Sequence, residues 1–418
     1  MRILLITQYF WPENFQINFL IQHLVKNKHE VTVLTGLPNY PQGKIYPGYR
    51  RFWPIRESWQ GAEIIRVPLI PRGNKSNFKL MLNYISFVLS GSIFAPFLCR
   101  KRYDVLFVYE PSPITQVLPA ILLRSLKKLP LLLWVQDLWP QSLTATKRVK
   151  SAAILRWVNK LVHFIYQRCD AILMQSQAFS SHLEGFGVEK SRMYYLPNSA
   201  EDFYRPLSLL PHFVNSYKLP QGFKVLFAGN IGHAQAIPTI LAAAEQLRGQ
   251  PVQWVFAGDG SSREFLEKEI IARKLEQTTH WIGSFPAHEM PYLFASCDAL
   301  LLSLNKNEIF SLTIPSKLQS YLACGKPIVA AIDGEANRII QEAHCGLAVA
   351  AEDHEQLANA VLSIYNLTAS EREEMGMRGF EYCQEHFASQ KLIAQLEGLF
   401  ESLSNHKLYK KTSGIKTI

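Results

Sequence analysis

Short apolar runs alternate with amphipathic stretches along most of the chain. In the first half, residues 2–7, 31–35, 63–67, 104–109, 131–135 and 171–175 are apolar runs of strand length. Helical patterns lie between several of them, as over 15–28, where Phe15, Phe19, Ile21, Leu24 and Val25 favour one side. The second half repeats the alternation. Its strand candidates are 225–228, 252–257, 299–303, 328–331 and 347–350, and its helices are 238–247, 263–273, 289–297 and 316–323. Apolar runs alternating with helices predict an α/β protein with a doubly wound parallel sheet in each half. Residues 197–220 are rich in Pro, Ser and Asn, with Pro206, Pro211 and Pro220 breaking helix, and read as the linker. The expected division is 1–205, a first Rossmann-like domain, 206–385, a second, and 386–418, a C-terminal helix able to pack back on the first domain, with a basic tail. Two such sheets are expected to face each other across a cleft between the carboxyl ends of their strands, where these folds bind ligands.

With 418 residues, 48% of them apolar and 19% charged, the chain can build more than one core and is not of disordered composition. Six scattered cysteines without a C-x-x-C pair fit buried thiols in a reducing cytosol, not a disulfide framework or zinc site. The N-terminus enters a strand at once, so no signal peptide is expected. The net charge of +10 is uneven: residues 1–210 hold 26 Lys and Arg against 12 Asp and Glu, whereas residues 211–418 hold 18 against 22. A basic half suits an anionic surface, either nucleic acid or a membrane with anionic head groups, and is also compatible with ordinary surface variation. Leu80 to Leu98 carries no charge, with Lys79 before it and Arg100-Lys101-Arg102 after it. Its length permits a membrane span, but it lies between two strands of one sheet, so a helix at the lipid interface or an internal helix is expected instead.

The stretch from Ile309 to Glu335 carries the strongest chemical signal. An amphipathic helix over 316–323 is broken by Cys324-Gly325-Lys326-Pro327 and followed by an apolar strand. Ser316 is expected to cap that helix and Gly325 to end it in a left-handed turn. The amides of its first turn, with Lys317 beside them, suit a phosphate-bearing ligand. Glycines follow two strands of this half, Gly229 and Gly232 after the first and Gly258 and Gly260 after the second. Such loops offer backbone amides to phosphate oxygens, and each alone also fits a tight turn without a ligand. Neither completes G-x-G-x-x-G, and no acidic residue stands at the spacing for an NAD ribose. In the first half, Asp137 sits just past an apolar strand, where a carboxylate can orient a hydroxyl, accept its proton or cap the next helix. No His, Cys, Asp and Glu cluster has metal-ligand spacing.

Taken together, AGNIGHAQ, VFAGDGSSREFLE, WIGSFPAHEMPYLFASCDALLLS and PSKLQSYLACGKPIVAAIDGEANRII resemble the C-terminal domain of bacterial family 4 glycosyltransferases with the GT-B fold. VQDLWPQS, LTGLPNYPQGKIYPGYR and YLPNS in the first half fit the same family, in the branch that builds O-antigen, colanic acid and other surface polysaccharides. The resemblance implies a retaining transfer from a nucleotide-diphosphate sugar, with UDP the expected nucleotide. The donor would be held by the second domain, the acceptor by the first. The implied partners are an undecaprenyl-diphosphate-linked acceptor and the inner face of the cell membrane, with no nucleic acid, no cofactor and no required metal.

On the residues, it implies donor contacts from Gly229, Asn230, Gly232, Gln235, Gly258, Gly260, Ser316, Lys317 and Ser320, and catalytic roles for Asp137 and Glu13. The chain departs from the family at several of these positions. The paired glutamates of the family fall on Leu312 and Ser320, and its Arg and Lys of the glycine loop fall on Asn230 and Gln235. Glu308 is a nearby carboxylate, either a sugar contact or a solvated loop residue. The first βα loop, usually glycine-rich, reads Pro12-Glu13-Asn14-Phe15, and Asn198 matches the hinge Asn. Two further activities fit the same architecture: a hydrolysing nucleotide-sugar epimerase, and a non-catalytic partner of a transferase.

Overall fold

The computed structural model describes residues 1–49, 52–73, 76–145, 151–208, 217 and 219–412. Residues 209–216 and 218 of the expected linker, including Pro211, lie outside the described residues, as does Lys416 of the tail. The chain forms two compact units. The first is Met1–Pro197 joined by the chain from Gln390 onward, and the second is Asn198–Ser389.

The first unit is built on eight strands: β1 (Arg2–Ile6), β2 (Glu30–Gly36), β3 (Ile55–Trp59), β4 (Ala62–Val67), β5 (Val105–Glu110), β6 (Leu131–Val135), β7 (Ala171–Met174) and β8 (Met193–Tyr195). They lie in the order β3-β4-β2-β1-β5-β6-β7-β8. All neighbours are parallel except β3 and β4, which form an antiparallel hairpin turning at Gln60 and Gly61, both at positive φ. The central β5 and β6 are buried at every position, so their apolar runs carry no polar alternation. The edge strand β3 is only partly buried, so it lacks the apolar run that marks the others. On one face of the sheet, Ile17, Leu20, Ile21 and Leu24 of the Gln16–Lys26 helix pack with Ile393, Leu396 and Phe400 of the C-terminal helix Ser389–Thr412. Phe400 meets Phe107 of β5 with ring centroids 5.4 Å apart.

The Asn77–Leu98 helix is neither free nor internal. Leu80, Asn83, Phe87, Gly91 and Ala95 are buried, with Gly91 against Pro119. Phe78, Met81, Ile85, Leu89, Ile93 and Phe97 form the opposite stripe and are between 46% and 64% exposed. The expectation of a purely internal helix is therefore corrected: a helix packed on one side leaves its other apolar face to solvent.

The second unit holds β9 (Phe223–Ala228), β10 (Val252–Ala257), β11 (Thr279–Trp281), β12 (Ala299–Ser303), β13 (Ile328–Ala331) and β14 (Gly346–Val349). They are ordered β11-β10-β9-β12-β13-β14, and all their pairings are parallel. Two apolar clusters fill this unit, one of them containing Leu318, Tyr321 and Leu322 of the Ser316–Ala323 helix. All six cysteines are free and buried.

Candidate functional site

The carboxyl ends of β9 and β10 bring two glycine loops into contact. Gly229 N–H donates to the Ala257 carbonyl at 2.8 Å, Ile231 N–H to that of Asp259 at 2.9 Å, and Ser262 N–H to that of Ile231 at 2.9 Å. Gly258 lies at φ 133°, and a Cβ there would come within 1.9 Å of the Gly229 carbonyl oxygen. Only glycine allows this crossing. Gly260 similarly abuts Ile231, and the exposed Asn230 side chain lies beside both Gly232 and Gly260. Gly258 and Gly260 are thus explained by loop-on-loop packing, before any ligand is considered.

Lys317 reaches back to the same place from the Ser316–Ala323 helix. Its ammonium donates to Gln235 Oε1 at 2.8 Å and sits 3.7 Å from the centre of the Phe227 ring. Gly229, at φ 110°, lets the lysine stem pass: a Cβ there would lie 2.9 Å from Lys317 Cε. Burial pushes the ammonium down to about 7. Among the described residues no carboxylate neutralises it. A cation with one neutral acceptor and one ring face, at the carboxyl end of β9, is suited to meet an anionic oxygen.

Other residues of this region behave differently from the sequence reading. Pro315, not Ser316, occupies the cap position of the helix, and Ser316 is its exposed first residue without a side-chain capping bond. A proline ring fixes the extended entry that a capping serine would otherwise support. Gly325 does adopt the left-handed state at φ 63°. Ser320 directs its hydroxyl to the Ser316 carbonyl at 3.5 Å and into contact with Tyr204. Glu308 opens a short helix, Glu308–Leu312, capped by Asn307, and is exposed.

In the first unit the acidic residues gather at the strand ends. Asp137 lies just beyond β6, beside the hydroxyls of Ser142 and Ser112 and the Leu138 amide. Burial outweighs those donors and pushes its carboxyl up to about 6. Ser112 is held at φ 122°, an uncommon state for a residue other than glycine. Glu110, the last residue of β5, is fully buried, and burial followed by the nearby Asp137 raises it well above the ordinary carboxyl range. Sequence reasoning missed Glu110. The available signal was an acidic residue closing an otherwise apolar strand.

Glu13 is held by backbone amides. Its Oε1 accepts from the Asn39 and Tyr40 amides, both at 2.7 Å, and its Oε2 from the Phe10 amide at 3.2 Å. Only 2% exposed, this carboxylate clamps the loops after β1 and β2 through backbone amides. Burial pushes it up to about 7, against three amides that favour its ionised form. Among the described residues no group of three His, Cys, Asp or Glu side chains could hold a metal ion.

Comparison with known proteins accounts for both halves. Residues 214–382 match the family described as glycosyl transferases group 1, and residues 16–199 match the glycosyl transferase 4-like domain. The probable glycosyltransferase WbjE of Pseudomonas aeruginosa is 26% identical over 309 residues, 72% of this chain and 76% of that protein. The putative colanic acid biosynthesis glycosyl transferase WcaI of Escherichia coli is 24% identical over 326 residues, 73% of this chain and 76% of that protein. Among solved structures, sucrose-phosphate synthase from Thermosynechococcus elongatus superposes with a TM-score of 0.74 at 17% identity, covering 96% of this chain and 98% of that one. Anabaena HepE in complex with UDP and glucose gives 0.69 at 14% identity, covering 96% and 100%. With two α/β units in the GT-B architecture, a glycosyl transferase 4-like domain in the first and a group 1 domain in the second, the chain is a glycosyltransferase.

Proposed function

We propose that this enzyme is a retaining transferase that moves a sugar from a UDP-sugar to an undecaprenyl-diphosphate-linked or glycan acceptor in surface polysaccharide assembly. The observation that carries the donor half is Lys317, a desolvated cation with no carboxylate partner beside the crossed glycine loops. Breaking the sugar–phosphate bond leaves charge on the diphosphate, and a fixed ammonium with the adjoining loop amides stabilises it. Gly229, Asn230, Gly232, Gln235 and the first-turn amides at Ser316 complete the donor set. This leaves the neutralising work to the protein, so divalent metal is not required, and turnover persists in excess EDTA. Asp137 orients the acceptor hydroxyl or accepts its proton in the first unit. The names of WbjE and WcaI support the polysaccharide setting, family membership supports retention, and HepE, bound to UDP, supports the nucleotide.

The acceptor half and the placement at the inner membrane face rest on the exposed stripe of the Asn77–Leu98 helix and the basic residues at its end. Arg2, Arg100, Lys101, Arg102, Lys127 and Lys128 line one cavity of about 720 Å³ with Asp104 the single carboxylate there. Cations next to exposed apolar side chains suit an anionic lipid surface, each cation adding about 1 kcal/mol. The test is UDP release from UDP-sugars with and without an undecaprenyl-diphosphate-linked acceptor. Release that needs the acceptor supports the reading. Release without it indicates hydrolysis, and no release with any acceptor overturns it. Sedimentation with anionic vesicles, weakening as salt rises, tests the surface.

A further inference from the structure

Glu110 has no role in the reading above, and its surroundings are unusual. It closes β5, paired in register with Val135 of β6, and its carbonyl accepts the Gln136 N–H at 3.0 Å. This pairing sets it one strand away from Asp137. The residue is 0% exposed, and neither carboxyl oxygen has a hydrogen-bond partner of normal geometry. Among the described residues, the groups that act on it are the backbone N–H and the carboxylate of Asp137, with no cation. The hydroxyl of Tyr166, from the Ala152–Tyr166 helix, is also fully buried without a partner and is influenced by both carboxyls. Tyr109, the neighbour on β5, is buried too.

Two neighbouring carboxylates, one of them fully buried, oppose each other's ionisation. Their surroundings decide which one keeps the proton. Asp137 has two serine hydroxyls, the Trp139 side chain and the Leu138 amide to support a negative charge. Among the described residues Glu110 has the Asp137 N–H but neither a cation nor a donor side chain. We propose that Glu110 and Asp137 carry one proton between them, held by Glu110, so that Asp137 stays the ionised member and Glu110 acts as its positioning residue. This rests on Asp137 being the acceptor-side group of the transfer. A neutral acid here adds no second negative charge where an anionic, lipid-linked substrate must approach.

The test is infrared difference spectroscopy of the full-length enzyme at pH 8, where Glu13 and Asp137 are mostly ionised. A protonated carboxyl band is expected in the wild type, lost in Glu110→Gln and kept in Asp137→Asn. No such band in the wild type, or one that survives Glu110→Gln, overturns the proposal. Kinetics supply the second readout. Glu110→Ala should lower kcat at least tenfold with little change in donor KM, and Glu110→Gln, an uncharged mimic, should recover most of that loss. If Gln is as impaired as Ala in folded protein, Glu110 works as an ionised group and the assignment fails. If the band behaves as expected but Asp137→Asn keeps full activity, the shared proton stands and the acceptor role of Asp137 falls. That separates this inference from the reading beneath it.

Discussion

The carboxyl ends of the two sheets solve opposite electrostatic problems with the same means. In the second unit, a lone lysine is desolvated over Phe227 and shares its ammonium with Gln235. In the first, Asp137, Glu110 and Glu13 are carboxyls withdrawn from water. Burial penalises charge of either sign, so Lys317 comes down to about 7 and Asp137 goes up to about 6. Groups that begin far apart on the pH scale end up next to each other. A nearby anion would favour the lysine's charged form, and the proposed acceptor role of Asp137 suits a carboxylate whose ionisation lies near neutral pH. What differs is the scaffolding. The lysine site depends on glycines that let two loops cross. The acidic site depends on strand register, which sets Glu110 beside the end of β6.

The most severe way to break this comparison is at Asp137. Asp137→Asn should cut kcat by roughly 10²–10⁴-fold, the range of a lost general base, and leave donor affinity within about twofold. Single-turnover rates with calorimetric donor titration measure both. Weakened donor binding with an intact rate would assign Asp137 to the wrong half of the reaction.

Gly258→Ala comes next, on the scaffold of the other unit. A Cβ there meets the Gly229 carbonyl oxygen at 1.9 Å, and the residue sits at φ 133°. The cost should exceed about 3 kcal/mol, since both the contact and the backbone state must change. Gly232→Ala is the control: its φ is −110°, and its added Cβ meets only the Asn230 side chain. That change should stay within about 1 kcal/mol. Urea unfolding of both variants gives the difference, and equal stabilities would mean the loops do not cross as described.

A smaller effect is expected from removing the cation itself. Lys317→Ala should weaken donor binding by about 1.5–3 kcal/mol, roughly 10- to 150-fold. Catalytic turnover at saturating donor should change less than it does in the Asp137 variant. Unchanged affinity in a folded variant would remove Lys317 from the donor site.

Much of this architecture was legible in the chain, and the failures have a common cause. The buried central strands announce themselves because both faces are covered. β3, β8 and β11 do not, being sheet edges that are partly exposed and, in the last two, only three residues long. Lys317 was legible as a candidate from its place before the ACGKP turn. Its surroundings were not, because Gln235 is 82 residues away in sequence. The backbone partners of Glu13 are hidden for the same reason: two of the amides it accepts from belong to Asn39 and Tyr40, on another loop. Glu110 passed unnoticed because an acid at a strand end is ordinarily solvated, and only the sheet register shows that this one is not.

The finest test sets the two units against each other through pH. Lys317 in the free enzyme titrates at about 7, so above that value it is increasingly neutral. A bound diphosphate raises its proton affinity, so binding above pH 7 must take up a proton. Donor affinity therefore falls as pH rises, by about fivefold between pH 7 and pH 8 and by at most tenfold per unit beyond. A sugar-linked diphosphate has no ionisation of its own in this range, so the change belongs to the protein. Lys317→Arg keeps its charge throughout and should flatten the dependence, whatever it does to absolute affinity. Titrations in two buffers of different protonation enthalpy count the proton directly. Asp137, raised to about 6, acts on the other limb: it is ionised above that value, so kcat should decline as pH falls below about 6 while donor affinity does not. The alkaline limb is thus expected in donor binding and the acid limb in turnover. If both limbs moved together in Lys317→Arg, the division of cation and carboxylate between the units would be wrong.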